Sequence, residues 1–316
     1  MGAPRISAIV PTWNRPAELA LCLEGFAQQT LPRDEFEVIV IDDCSTADIA
    51  SATRPNARAM ALELVRIEHG GVPTARNVGI GRARAPLLLL YDDDLRPAPD
   101  LLEYCLDFHG AHPAEEDAAL LYFELEPALA REAIVRWSFD RMYGFPREPA
   151  VLDWRWFWGG TTTCKKSLFK RGQFNPAYLS VEDTEFALRI SRSGGLRVHF
   201  ERRLTGAMIR RVSLGQIYRR QYLMGYYRNL LARDYPRAVR FPYPPYDCPE
   251  EHVIGDAATL RAMLAAARSL ERKAAAEGPG PSELLSCLWR RTEIHATASG
   301  WMAARDGFPP TPPEVP

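Results

Sequence analysis

The chain has 316 residues, 47% of them hydrophobic, and a formal net charge of -1 at pH 7. That is apolar material for a full core, in one large domain with an appendage or in two domains, and the near-neutral balance excludes a global pull toward nucleic acid or anionic membrane. No stretch approaches about 18 uninterrupted apolar residues, and the first apolar run, at 6–10, is too short for a signal peptide, so a cytoplasmic chain without a membrane span is expected. The six cysteines (Cys22, Cys44, Cys105, Cys164, Cys248, Cys287) lack C-x-x-C spacing, which predicts buried free thiols in a reducing compartment.

In chain order, "ISAIV" (6–10), "FEVIVI" (36–41), "LELVRI" (62–67) and "LLLLY" (87–91) are near-continuous apolar runs, as expected of strands covered on both faces. Between them Pro16 suits a first helical position, with Leu19, Leu23 and Phe26 following at helical spacing; further helices fall within 49–60 and 74–83. Strand alternating with helix predicts a Rossmann-like, open, mostly parallel twisted sheet flanked by helices, which binds ligands off the carboxyl ends of its strands. There stand "PTWNR", "DDCS", "HGGVPTARN" and the triple aspartate 92–94, four loops at one edge. Beyond 110 come a strand near 119–125, an aromatic loop "DWRWFWGGTTTC" (153–164), the segment "LSVEDTEFALRISRSGG" and a strand at 196–200. From about 206 the chain reads as helical, near 214–233, 256–277 and 282–305, before a tail at 309–316 too proline-rich to pack.

Taken in order, "SAIVPTWNR", "VIVIDDCS", "GVPTARNVGI", "LYDDDLRPAPDLL" and "WGGTTTCKKSLFKRGQFNPAYLSVEDTEFALRISRSGG" resemble glycosyltransferase family 2, with its GT-A fold, over roughly residues 5–205. The resemblance implies an inverting, metal-dependent enzyme that moves a single monosaccharide from a nucleotide-sugar, of UDP type, to a hydroxyl-bearing acceptor. It implies a catalytic domain at 1–205 (nucleotide-binding half 1–110, acceptor half 111–205), a helical region at 206–308 and a disordered tail at 309–316. By the same resemblance Asp94 and Asp92 hold Mn2+ or Mg2+, since hard oxygen ligands suit those ions and a departing diphosphate needs its charge neutralised. Asp92 or Asp93 meets the ribose, Asp43 the uracil imide, and Pro11, Thr12, Asn14 and Arg15 line the nucleotide. Arg76 fixes base or phosphate, Trp158, Gly159 and Gly160 form an acceptor or sugar loop, and Arg210 and Arg211 are diphosphate candidates. Glu182 and Asp183 are the catalytic pair, with Asp183 as base.

Each residue also has a plainer reading. The aspartates make a solvated turn closed by "RP"; Asp42 and Asp43 make an Asx turn; Arg76 lies on a helix surface; Ser180 and Asp183 spell a capping box for a helix from Val181 onward. Trp154, Trp156 and Trp158 alternate as along a strand or extended loop, suiting sugar rings, an aromatic acceptor or core packing. Two features depart from the family. Many relatives carry a metal-binding histidine about 25 residues after the Glu-Asp pair, where this chain reads "GAMIRR" (206–211), and His199 lies in an apolar run and reads as structural. "QIYRR" has Arg220 where processive synthases have tryptophan, which predicts one sugar per encounter. The stretch 202–240 carries ten arginines with Tyr218, Tyr222, Tyr226 and Tyr227 interleaved. It is a candidate for peripheral contact with the inner membrane face, for gripping an anionic acceptor, or for a solvated face, and nucleic acid is disfavoured. The acceptor is open among polysaccharide, lipid, protein and small metabolite. Rival readings are a non-catalytic nucleotide-sugar sensor or scaffold, and a sugar nucleotidyltransferase, a class that opens with a glycine-rich basic loop where this chain has "PTWNR".

Overall fold

The structure, a computed structural model, describes residues 3–236, 257–277 and 283–312. The chain divides into two compact units, Met1–Glu126 with Phe145–Arg210, and Pro127–Gly144 with Arg211–Pro316. Cys248, residues 237–240 of the basic stretch and residues 313–316 of the tail lie outside the described residues.

The first unit is built on one sheet. Its strands are β1 (Ile6–Thr12), β2 (Phe36–Asp42), β3 (Ala61–Arg66), β4 (Leu87–Tyr91), β5 (Leu95–Pro97), β6 (Asp117–Leu125), β7 (Ala150–Leu152), β8 (Thr161–Lys165) and β9 (Arg197–Met208). Their order is β3-β2-β1-β4-β8-β6-β9-β5, with β7 also pairing β9. The helices α1 (Pro16–Ala27), α2 (Ile49–Thr53), α3 (Gly71–Arg82), α4 (Leu101–Ala111) and α6 (Glu182–Arg192) belong to the same unit, whereas α5 (Ala133–Met142) belongs to the second. Strands β1, β2 and β4 pair in parallel, and almost every residue in them is buried, so their continuous apolar runs are those of central strands. A cluster on one side of the sheet joins Ile9, Ile39, Ile41 and Leu90 to Phe157, Phe169, Phe174 and Phe186, which ties the second half of the unit to the first.

Several expectations change. β3 is an edge strand with mostly exposed or half-buried side chains, not one covered on both faces, because a terminal strand has a neighbour on one side only. "LRP" does not close a turn: it is β5, paired antiparallel with the end of β9, which itself runs on from the expected 196–200 to Met208. The end of the aromatic loop, from Thr161 on, is β8, antiparallel to β4, with Tyr91 opposite Thr161. That pairing sets the acidic end of β4 beside the double glycine, and the Asp92 amide donates to the Gly160 carbonyl at 2.9 Å.

The second unit packs α7 (Leu214–Asp234), α8 (Ala257–Glu277) and α9 (Glu283–Arg305) with α5. Tyr218, Tyr222, Leu264, Leu285 and Trp289 form its core, and α7 begins in a capping box between Ser213 and Gln216. Among the described residues, no helix is long and apolar enough to cross a membrane. The five described cysteines are free; Cys22, Cys105 and Cys164 are buried, while Cys44 and Cys287 are exposed, contrary to the expectation that all are buried.

Candidate active site

Three strand ends and one helix start build the site. At the end of β4 the three aspartates have three different environments. Asp93 is 2% exposed. One of its oxygens accepts from the Thr12 hydroxyl and the other from Arg15, both at 2.7 Å. It is therefore a buried clamp between β1 and β4, with both oxygens engaged and turned away from the solvated turn expected of it. Desolvation, with the charges of Asp94 and Asp92, outweighs Arg15 and Thr12 and pushes its pKa up to about 7. Asp94, 8% exposed, faces Arg15 at 3.3 Å and Arg210 at 3.4 Å. Asp92 is the open member, with 42% of its side chain exposed, and accepts from Arg76 at 3.0 Å.

Arg76 is not on a helix surface. It lies 4% exposed inside α3's packing and reaches two carboxylates, Asp92 with one terminal nitrogen and Glu182 with the other at 2.5 Å. Burial alone would lower its pKa, but Glu182, Asp92 and Asp183 together raise it. Its Nε has no hydrogen-bond partner. Glu182, buried at the first turn of α6 beside Asp183, is pushed up to about 7 by desolvation and by Asp183, against the pull of Arg76.

Asp183 is fixed by the loop it faces. Its Oδ2 accepts from the Gly159 amide at 3.0 Å and its Oδ1 from the Thr184 amide at 2.7 Å. The expected capping box is absent: the N-cap of α6 is Val181, in the left-handed region at φ 58°, without a side-chain cap, so the carboxylate of Asp183 is turned toward the glycine loop. The glycines are required by their neighbours. A Cβ on Gly160 would lie 2.0 Å from Asp92 Oδ2, and one on Gly159 would lie 2.5 Å from an Arg76 nitrogen. The segment "FNPAY" is pinned opposite α3, where the Asn77 side-chain amide donates to the Phe174 carbonyl and accepts from its N–H.

Asp43, after β2, accepts from the Gly70 and Gly71 amides at 2.7 and 3.0 Å, which caps α3 from a distance and matches charge to helix dipole. The Asx turn belongs to Asp42, which accepts from Ser45. Asn14, at φ 55°, binds the Thr46 and Ala47 amides and so ties the loop after β1 to that after β2. Pro11 and Thr12 are the last residues of β1. Two further residues join this corner, one against Asp43 and one against that residue in turn. His69 lies 2.9 Å from Asp43 Oδ2, and its ring meets that of exposed Trp13 at 5.2 Å. Trp13 sits inside the quoted "PTWNR", but a single exposed aromatic carries no periodic signal.

Other expected members lie elsewhere. Arg211 belongs to the second unit, paired with Glu132 at 2.6 Å, so only Arg210 of the two meets the acidic cluster. His199 is structural, as read: it bonds Asp117 at 2.9 Å where β6 and β9 begin. Trp154–Trp156 form a short 3-10 turn, not an extended run, capped by Asp153. Trp156 and Trp158 stack at 5.6 Å and 26°.

Among the described residues no three His, Cys, Asp or Glu side chains converge into a metal-holding group. Asp92 and Asp94 nevertheless fit a hard divalent cation that completes its shell with water and substrate phosphate, as magnesium does. The contacts of Asp94 with Arg15 and Arg210, at 3.3 and 3.4 Å, are longer than the usual 2.7–3.2 Å.

A family model, "Glycosyl transferase family 2", matches residues 7–127. The validoxylamine A glucosyltransferase of Streptomyces hygroscopicus subsp. jinggangensis is 29% identical over 222 residues, 60% of this chain and 52% of that protein; the chain thus spans about half the length of that relative. The PGL/p-HBAD biosynthesis glycosyltransferase of Mycobacterium bovis is 31% identical over 202 residues, covering 60% of this chain and 70% of that protein. Among solved structures, S. aureus TarS 1-349 in complex with UDP superposes with a TM-score of 0.54 at 19% identity over 96% of this chain and 92% of that one. The mannosyltransferase PcManGT of Pyrobaculum calidifontis, in complex with GDP-Man and Mn2+, gives 0.58 at 22% over 97% and 87%. These structures share the GT-A fold with the sheet and helices described above, and the sequence relatives carry the same assignment further: the chain belongs to glycosyl transferase family 2.

Proposed function

We propose that the protein transfers one monosaccharide, with inversion, from a UDP-sugar to a hydroxyl of its acceptor, using a divalent cation at Asp94 and Asp92. The observation that carries this reading is the Arg76 bridge. One buried guanidinium bonds Asp92 at the end of β4 and Glu182 beside Asp183, so the donor-side and acceptor-side carboxylates stand within a single side chain's reach. Residues 1–110 would then bind the nucleotide and 111–205 the acceptor.

In this reading Asp183 takes the acceptor hydroxyl's proton as the acceptor oxygen bonds to the anomeric carbon. The bond from that carbon to the diphosphate breaks on the opposite face, which inverts the centre. Hydrogen bonds from the Gly159 amide to Oδ2 and from the Thr184 amide and hydroxyl to Oδ1 hold the base in place and leave a lone pair on Oδ2. Arg15 and Arg210, already beside Asp94, supply positive charge where the diphosphate develops its own. The cation, when bound, supplies further neutralisation of that leaving group. Asp92, the exposed aspartate, is the better placed for the ribose; Asp43 and the loop after β1 line the base. The acceptor stays open in class, as do a cytoplasmic site of action and membrane contact through the basic stretch.

A panel of nucleotide-sugars tested for manganese-dependent thermal stabilisation checks the reading. A UDP-sugar should raise the melting temperature progressively with concentration. Stabilisation by none of the panel would overturn it, and release of pyrophosphate from a nucleoside triphosphate would favour a nucleotidyltransferase instead.

A further inference from the structure

We infer that Val181 is a positioning residue for the transfer: its left-handed backbone starts α6 one residue late and so aims Glu182 at Arg76 and Asp183 at Gly159. The chemical purpose of that aim rests on the transferase reading above; the aim itself does not.

Val181 stands at φ 58° and ψ 23°. Three described residues other than glycine have positive φ, Asn14, Cys44 and Val181, and of these only Val181 is β-branched. Asparagine visits this region readily, whereas the branched Cβ of valine crowds the backbone there, so the conformation persists only where its surroundings hold it. Here they do. Val181 is buried, and its carbonyl accepts the first bond of α6 from the Glu185 amide at 2.9 Å. Just beyond it Arg76 bonds Glu182, and the Gly159 and Thr184 amides bond Asp183.

The same residues have an easier way to start a helix. With Ser180 as N-cap and Val181 in ordinary helical geometry, Asp183 becomes the third helical residue, whose carboxylate reaches back to the Ser180 amide. That unstrained start would turn the proposed base away from the glycine loop and deprive the Gly159 amide of its acceptor. The left-handed Val181 makes Asp183 the second residue of α6 instead. Strain at one residue is thus set against a carboxylate pair directed at Arg76 and Gly159. A chain that relaxes to the capped start loses kcat and keeps its donor affinity, because the donor-side aspartates follow β4, a different element.

The test reads the Gly159 amide by NMR on the full chain. Trp158–Gly159 is the only Trp-Gly pair in the sequence, so joint isotope labelling of tryptophan carbonyls and glycine nitrogens leaves one correlated amide, that of Gly159. Its proton shift and hydrogen exchange report the bond to Asp183, and Asp183→Ala supplies the unbonded reference. Val181→Gly, which removes the crowding Cβ, should keep the wild-type signal. Val181→Pro, whose ring locks φ at about −65°, should give the signal of Asp183→Ala with exchange about tenfold or more faster, while UDP affinity stays within about threefold. Val181→Gly should also melt above Val181→Ala, the reverse of their order at an ordinary helical position. A wild-type Gly159 signal in Val181→Pro, or a glycine variant that melts below the alanine variant, would overturn the role. If the proline variant does not fold, the order of the two melts decides. Failure of the wild-type chain to bind UDP would sink the donor reading and leave the aim of Asp183 standing.

Discussion

Burial pushes Glu182 and Asp93 up to about 7, against 4.5 and 3.8 for the free side chains, and this couples stability to pH with a definite sign. A carboxyl whose folded pKa is raised binds its proton more tightly when folded. Its contribution is fully present below the unfolded value and is lost as pH rises through about 7. Glu182→Gln mimics the protonated form and can still accept from Arg76. Its melting temperature should therefore rise relative to wild type as pH goes from 5 to 8, in parallel melts; a constant or falling difference contradicts the assignment. Gly160→Ala brings a Cβ to 2.0 Å from Asp92 and must displace that carboxylate. Transfer should fall at least about tenfold while the melting temperature changes little, because the clash is with an exposed side chain end. The identities of these residues were legible in the sequence, since D-x-D, Gly-Gly and Glu-Asp stand in order. Their division of labour was not. Three consecutive aspartates are chemically identical in sequence, and only the partners of Asp93, Thr12 and Arg15 from 81 and 78 positions away, reveal that it is the most buried of the three.

Among elements, the parallel strands and their crossover helices were readable because a strand covered on both faces is continuously apolar and Pro16 marks a helix start. β5 and β8 were hidden for physical reasons. β5 has three residues, and β8 reads "TTTCK", whose side chains are buried through partners that no local pattern encodes: Thr161 bonds the Leu121 carbonyl and Thr163 that of Leu88. In the second unit α7 and α9 cross at Gly225 and Gly300. A Cβ on Gly225 would lie 2.0 Å from the Thr297 carbonyl oxygen, and one on Gly300 would lie 1.9 Å from that of Tyr222. Backbone atoms cannot yield as a side chain does, so Gly300→Ala should cost about 1–3 kcal/mol or more in urea unfolding. An unchanged midpoint would mean that the two helices do not cross so closely.

At the scale of the whole molecule, the first unit supplies every residue of the proposed chemistry, and four described arginines of the basic stretch are engaged within the protein. Arg203 pairs with Asp100, Arg210 with Asp94, Arg211 with Glu132 and Arg233 with Asp234. Such pairing leaves less free charge for an anionic surface than the count of ten arginines suggested. The cation belongs to this scale too, since its effect is read on the whole melt. Asp94→Ala should abolish the manganese dependence of stabilisation by a UDP-sugar, and persistence of that dependence would move the cation elsewhere. The claim that joins fold, site and activity is that Asp183 is the base. Asp183→Asn keeps the size of the side chain and its acceptor oxygen, so the donor should bind within about threefold of wild type by calorimetry. Transfer, measured on the same protein, should fall by about a hundredfold or more. A variant that transfers sugar at the wild-type rate while binding the donor normally would contradict the account.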